Sequence, residues 1–117
     1  MRVSEKILNP SLKKQIEDMF IQTIADLRDL QEAKTFLTDF FNETEYEAFI
    51  KRFAISYWLT KKRSYVNIKE NLKVSSATIA SVQNMIEKPG FKLALKKVEA
   101  EEWANLWTER IKKFIKK

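Results

Sequence analysis

A chain of 117 residues and 13.9 kDa has room for one domain, or for one domain with a helical extension. Its 44% hydrophobic and 32% charged residues exclude a disordered tail and a membrane protein, and its one Gly and two Pro leave too few turns for an all-β sandwich. With no His and no Cys, the chain cannot build a zinc site, a disulfide, a thiol nucleophile or a Ser-His-Asp triad.

The same composition limits the location and the chemistry of the protein. No apolar stretch approaches the roughly 20 residues that span a bilayer, and residues 1–8 lack the long apolar run of a signal peptide. The missing cysteine fits a chain with no need of an oxidising compartment. We therefore expect a soluble, cytoplasmic protein that is not an enzyme and has no metal, no cofactor and no membrane partner.

The N-terminal part, residues 9–42, is predicted to form helices that mediate dimerisation. Asn9 and Pro10 are residue types preferred at the N-cap and at the first helical position. A first apolar stripe at helical spacing comprises Leu12, Ile16, Met19, Phe20, Ile24, Leu27 and Leu30, and a shorter one comprises Ala33, Phe36, Leu37, Phe40 and Phe41. These large apolar residues are too many for a monomer of this size to bury.

Residues 43–88 are predicted to hold a central helix followed by two short helices. Asn42 or Thr44 caps the central helix, and the segment 44–47, Thr-Glu-Tyr-Glu, has the form of a capping box. Apolar residues wrap most of the way round this helix, so we expect it to be buried. Ser64 then caps one short helix, and after a turn at Lys73 either Ser75 or Ser76 caps the next.

The break at Lys88-Pro89-Gly90 precedes one long helix over residues 89–117, in which Trp103 and Trp107 are expected to be packing anchors. The sequence thus predicts an all-α fold of about six helices in a single domain, residues 1–117.

The two short helices have the pattern of a helix-turn-helix, which places its second helix in the major groove of DNA. Apolar residues stand at the spacing that this packing requires: Ile68, Leu72, Val74, Ile79 and Val82. Lys73 stands where such a turn usually has Gly, and a left-handed lysine costs roughly 1 kcal/mol relative to Gly. An ordinary bundle of short helices is the alternative explanation of the pattern.

Positive charge is concentrated around this motif. Residues 51–73 hold seven basic side chains and one acidic side chain, whereas residues 1–50 hold six basic and ten acidic ones. A focused basic patch suits a polyanion, because neutralised phosphates release condensed counterions. The residues expected to contact phosphates are Lys61, Lys62, Arg63, Lys69 and Lys73.

The stretch from about Phe36 to Ile86 resembles the tryptophan-repressor family. The residues that carry the resemblance are Leu37 to Glu45, Lys51 to Ile55, Leu59, Ser64, Tyr65, Ile68 and, above all, the string Val74-Ser75-Ser76-Ala77-Thr78-Ile79. The resemblance implies an all-helical, intertwined homodimer that binds palindromic operators as a transcriptional repressor. Its two recognition helices would then lie about one turn of DNA apart, roughly 34 Å.

The sequence departs from the family at Ser81, where the family typically has an arginine that covers the ligand's indole ring and contacts the operator. Serine has neither a guanidinium plane nor a positive charge, so tryptophan binding is not carried over and the effector stays open. Arg52 or Lys51 could still line a ligand pocket. The residues expected to face bases are Ser75, Ser76, Thr78, Ser81, Gln83 and Asn84, because small polar side chains permit close approach to base edges.

Two functions follow from these observations. The first is a homodimeric, sequence-specific regulator of transcription, expected to act as a repressor, that binds double-stranded DNA in the nucleoid. The second is a protein-interaction or assembly module that retains the helix-turn-helix shape without DNA readout, which the absence of Lys and Arg from the second helix favours.

Overall fold

A computed structural model describes residues 5–115, without the side chains at positions 107, 108, 110, 111 and 113–115. This range forms six helices and no strand: α1 (Pro10–Ala25), α2 (Leu30–Phe40), α3 (Glu43–Thr60), α4 (Tyr65–Leu72), α5 (Ser76–Met85) and α6 (Pro89–Ile115). The predicted all-α fold is therefore confirmed. No helix in the described range has the length and apolar composition that a membrane span needs.

The chain divides into two compact units, of which the first ends at Tyr46 and the second begins at Glu47. The boundary lies within the first turns of α3. The first unit contains α1 and α2, and the second contains most of α3 together with α4, α5 and α6.

In the first unit, the predicted start of α1 is confirmed and its predicted extent is wrong. The Asn9 carboxamide oxygen accepts hydrogen bonds from the backbone N–H groups of Ser11 and Leu12, at 2.9 and 3.2 Å. The helix ends at Ala25, so Leu30, expected on the first stripe, opens α2 instead. The cause is the Asp29 side chain, which caps α2 by accepting from the Glu32 N–H at 2.9 Å.

Aromatic rings pack together in the first unit, but none of them is buried. The rings of Phe36 and Phe40 stack with centroids 4.4 Å apart, and Phe20 lies 6.1 Å from Phe36. Neither α1 nor α2 contains a buried residue. The two apolar stripes that the sequence predicts therefore lie at the surface of the single chain.

The start of α3 settles which residue caps it. The Asn42 side chain accepts from the Glu45 N–H at 2.8 Å, and the Glu45 carboxylate accepts from the Asn42 N–H at 3.0 Å. This reciprocal pair is the capping box, so the box predicted from Thr44 to Glu47 is wrong. Its register begins two residues earlier because Glu43 is already helical.

The expectation that α3 is buried all round is wrong for most of its length. Ile55 and Ser56 are buried, whereas Phe49, Ile50 and Phe53 each expose nearly half of their surface. Apolar residues do occur on all sides of α3, but most of them are only partly buried. In α6, Trp103 is likewise well exposed, and the Trp107 side chain lies outside the described residues.

The core of the second unit joins three helices. Ile55 of α3, Ile68 of α4 and Ile79 of α5 have no exposed surface, and Val82 completes the cluster. Six partly buried side chains pack against it: Trp58, Leu59, Leu72, Val74, Met85 and Phe91. All five apolar residues predicted for the helix-turn-helix therefore lie in or against this core.

Candidate nucleic-acid interface

Helix α4 is delimited by a polar cap and a left-handed residue. The Ser64 hydroxyl accepts from the Asn67 N–H at 3.1 Å, as the sequence predicts. At the other end, Lys73 has φ 56° and ψ 53°, and its N–H donates to the Lys69 carbonyl at 3.0 Å. A lysine therefore occupies the left-handed position that favours Gly, and the turn directs the chain into α5.

Ser75 is the N-cap of α5, and its hydroxyl stabilises the start of that helix. The Ser75 hydroxyl accepts from the Thr78 N–H at 3.1 Å, and it shares a second hydrogen bond with the Thr78 hydroxyl at 2.9 Å. Two of the six residues predicted to face bases thus bond each other. The alternative cap, Ser76, is instead the first helical residue.

The outer face of α5 is small, polar and exposed. Ile79 and Val82 turn inward, and the other four predicted base-facing residues, Ser76, Ser81, Gln83 and Asn84, are all exposed. Two alanines, Ala77 and Ala80, are exposed beside them. Since the packing is provided by one side of the helix, the opposite side is free to enter a groove.

The basic residues fall into two groups. Lys62, Lys69 and Lys73 are exposed, and within the described residues none of them forms an ion pair. Lys62 also has a positive φ, 59°, which bends the chain between α3 and α4. Lys69 and Lys73 lie within the helix-turn-helix and Lys62 lies just before it, and all three side chains are open to solvent.

Lys61 and Arg63 are held by side chains of their own unit. The Lys61 ammonium lies 3.0 Å from the Glu102 carboxylate on α6 and 5.5 Å from the centre of the Tyr57 ring. The Arg63 guanidinium stacks 4.0 Å above the Trp58 ring and donates to the Asn67 side-chain oxygen at 3.3 Å. Both predicted phosphate contacts therefore also stabilise the region around the end of α3.

A cleft of about 390 Å³ separates α3 from α5 and contains both residues predicted for a ligand pocket. Its lining residues are Ala48, Lys51, Arg52, Ile55, Val74, Ala77, Thr78, Ser81, Val82 and Met85. Lys51 is paired with Glu47 at 3.3 Å, and the Arg52 guanidinium lies 5.4 Å from the Phe49 ring centre. The fold thus brings Ser81 to the same cleft as these two cations.

Sequence reasoning missed the partners of the basic residues. Glu102 is 41 positions from Lys61, and no local spacing connects them. The contact between Arg63 and Asn67 spans four positions, a separation at which helical side chains meet, so that signal was available.

Comparison with known proteins gives one match. The family model described as Trp repressor protein matches residues 15–99, which is most of the chain. No curated protein and no solved structure matches the sequence. The matched range includes the complete helix-turn-helix and most of α1.

Proposed function

The chain belongs to the Trp repressor family, and from this premise we propose that it acts as a homodimeric repressor that binds a palindromic operator in double-stranded DNA. The observation that carries the proposal is the helix-turn-helix itself. Its core, Ile68 with Ile79 and Val82, holds α5 so that an uncovered polar side faces outward. Lys69 and Lys73 flank that side with positive charge, and the protein would work in the cytoplasm, at the nucleoid.

The homodimer is supported by apolar surface that a single chain leaves uncovered. In the first unit, the residues concerned are Leu12, Ile16, Met19, Phe20, Ile24 and Phe40, each more than two-fifths exposed. In the second unit, an apolar cleft of about 240 Å³ is lined by Phe49, Phe53, Phe91 and Ala94 among others. Exposed apolar area of this kind marks interaction sites, and a second copy of the chain is the occupant that the family implies.

The protein-interaction module is the second candidate function, and a specific observation favours it. Helix α5 carries no basic residue, and two of the five predicted phosphate contacts, Lys61 and Arg63, already have partners. Such a module would keep the fold but bind duplex DNA weakly or not at all.

DNA binding separates the two functions. Fluorescence anisotropy against a random pool of short duplexes, at about 50 and 200 mM salt, is expected to give affinity that falls steeply with salt. Sequencing of the bound fraction is expected to return a palindrome with half-sites about one helical turn apart. Salt-sensitive binding without an enriched sequence would leave a backbone binder, and no binding at either salt would favour the interaction module.

A double variant makes the test specific to the proposed surface. Lys69→Ala with Lys73→Ala removes two charges beside α5 and is expected to lower the slope of log affinity against log salt by about one per lysine in each protomer. Lys96→Ala with Lys97→Ala, on α6, removes the same charge as a control. Equal effects of both pairs would contradict the proposed position of the DNA.

A further inference from the structure

The recognition helix lacks the basic side chains that most commonly read guanine. Between Ser76 and Met85, α5 contains no Arg and no Lys. In the major groove, the commonest specific contact to guanine is a bidentate Arg or Lys on O6 and N7, whereas adenine is read by Asn or Gln and the thymine methyl by small apolar groups. The helix therefore holds only the groups that read A·T pairs and those, such as serine, that suit either.

These groups stand on one side of α5. Ala77, Ala80 and Asn84 are spaced i, i+3 and i+7, which places them on one face, and all three are exposed. The buried residues Ile79 and Val82 lie on the opposite face. Two methyl groups and one carboxamide thus form an exposed ridge on the side of the helix away from Ile79 and Val82, and Ala77 also lines the edge of the cleft toward α3.

The hydroxyl groups nearest to the start of α5 contribute less to readout than their number suggests. The Ser75 hydroxyl accepts from the Thr78 backbone and also shares a hydrogen bond with the Thr78 hydroxyl. A base that used either hydroxyl would compete with the cap of the helix. This internal pairing increases the relative weight of the methyl groups and of the free hydroxyl and carboxamide side chains.

We propose that α5 reads an A·T-rich half-site, with the methyl groups of Ala77 and Ala80 against thymine methyls and the Asn84 carboxamide on an adenine. The inference rests on the proposed function, since it specifies which DNA that function would bind. Because Ala is short, the backbone of α5 approaches the base edges closely enough for these contacts. Phosphate contacts from Lys69 and Lys73 supply affinity and carry no base preference.

The first test uses the unaltered protein and modified DNA. Selection from the random pool is expected to enrich half-sites whose central positions are A·T pairs. Each thymine of the selected site is then replaced by uracil, which removes only the C5 methyl group. At one or two positions per half-site, this replacement is expected to weaken binding about three- to fivefold, the effect of one lost methyl contact.

The second test changes the readout of the helix. Ala80→Arg adds a guanine-reading side chain to the ridge and is expected to shift the enriched sequence toward G·C at one position per half-site. Ala100→Arg, at an exposed position of α6, adds the same charge to another helix and serves as the control. The control is expected to raise affinity for all duplexes while the enriched sequence stays unchanged.

The outcomes distinguish this inference from the proposed function. Enriched A·T half-sites with methyl-dependent binding support both. Salt-sensitive binding to a palindrome with conserved G·C pairs at the centre of each half-site, insensitive to uracil, would overturn the inference and leave the operator-binding function standing. Failure to bind any duplex at low salt would overturn the two together.

Discussion

The two units of the protein have similar apolar patterns and different burial. Helices α1 and α2 carry regular apolar stripes, yet they contain no buried residue, and Phe40 exposes 67% of its surface. In the second unit, Ile55, Ile68 and Ile79 have none of their surface exposed. The difference lies in what covers each stripe, since both patterns meet the spacing of an amphipathic helix.

Chain connectivity explains the difference. In the second unit, α3, α4 and α5 follow one another through short turns, so their core side chains all come from the segment between Ile55 and Val82. In the first unit, two helices alone enclose no interior, and their apolar sides need another surface. An apolar stripe in a sequence therefore predicts that a face will be covered, and it does not identify the covering molecule.

The largest effect is expected from the core of the second unit. Ile79→Ala removes a fully buried side chain where three helices meet, and we expect it to lower the free energy of unfolding by about 2–5 kcal/mol. Urea denaturation measures this change. Ile21→Ala on α1, where Ile21 is 62% exposed, is the matched control and is expected to cost less than about 1 kcal/mol. Equal losses would contradict the contrast between the units.

The next effect tests whether a second copy covers the first unit. Ile16→Glu puts a charge into the apolar side of α1, where Ile16 is 49% exposed in one chain. If that side lies in the dimer interface, the dissociation constant is expected to rise about 100-fold, because the carboxylate would be buried without a partner. Sedimentation equilibrium measures it.

Ser11→Glu adds the same charge on the opposite side of α1 and is the control for that substitution. It is expected to leave the oligomeric state and the dissociation constant of the dimer unchanged. A wild-type protein that is monomeric at all concentrations, or an Ile16→Glu variant that dimerises like the wild type, would contradict the proposed interface.

A smaller gain in stability is expected at the turn of the helix-turn-helix. Lys73→Gly removes the cost of a side chain at φ 56° and is expected to stabilise the protein by about 1 kcal/mol, or raise its Tm by about 4 °C. The same change removes a proposed phosphate contact, so affinity for DNA is expected to fall as stability rises. Thermal unfolding and anisotropy measure the two effects.

Lys69→Ala controls for the charge, because Lys69 lies within α4, where Ala is a good helix former. It is expected to weaken DNA binding without the gain in Tm. A lower Tm for Lys73→Gly would mean that the lysine side chain makes a stabilising contact that outweighs the strain of its backbone.

The sequence predicted best the features that local chemistry determines. The caps at Asn9 and Ser64 and the left-handed turn at Lys73 depend on residues within four positions, and all were predicted. Where two local signals competed, one prediction failed: Asn42 rather than Thr44 begins the capping box, since either residue type accepts the required hydrogen bond. Residue types alone did not separate the two registers.

The candidate site was predictable in part for the same reason. Helical spacing in the sequence predicted which side chains of α5 turn inward, and therefore which ones turn outward. The cleft that contains Lys51, Arg52 and Ser81 follows from the packing of α3 on α5. Which side chains contact bases or a ligand stays a prediction. The pairing of Lys61 with Glu102 depends on where α6 passes α3, and no spacing in the sequence encodes that distance.

The smallest expected effect concerns this ion pair and decides between two roles for Lys61. The Lys61 and Glu102 side chains are 48% and 37% exposed, so Glu102→Gln is expected to change stability by less than about 1 kcal/mol. If Lys61 contacts DNA, phosphate competes with Glu102 for its ammonium, and the substitution is expected to steepen the salt dependence of binding by about one ion per protomer. Glu101→Gln makes the same charge change beside it and is expected to leave the slope unaltered. Identical slopes for the two variants would assign Lys61 to holding α6 against α3, and would leave Lys62, Lys69 and Lys73 as the lysines that contact phosphate.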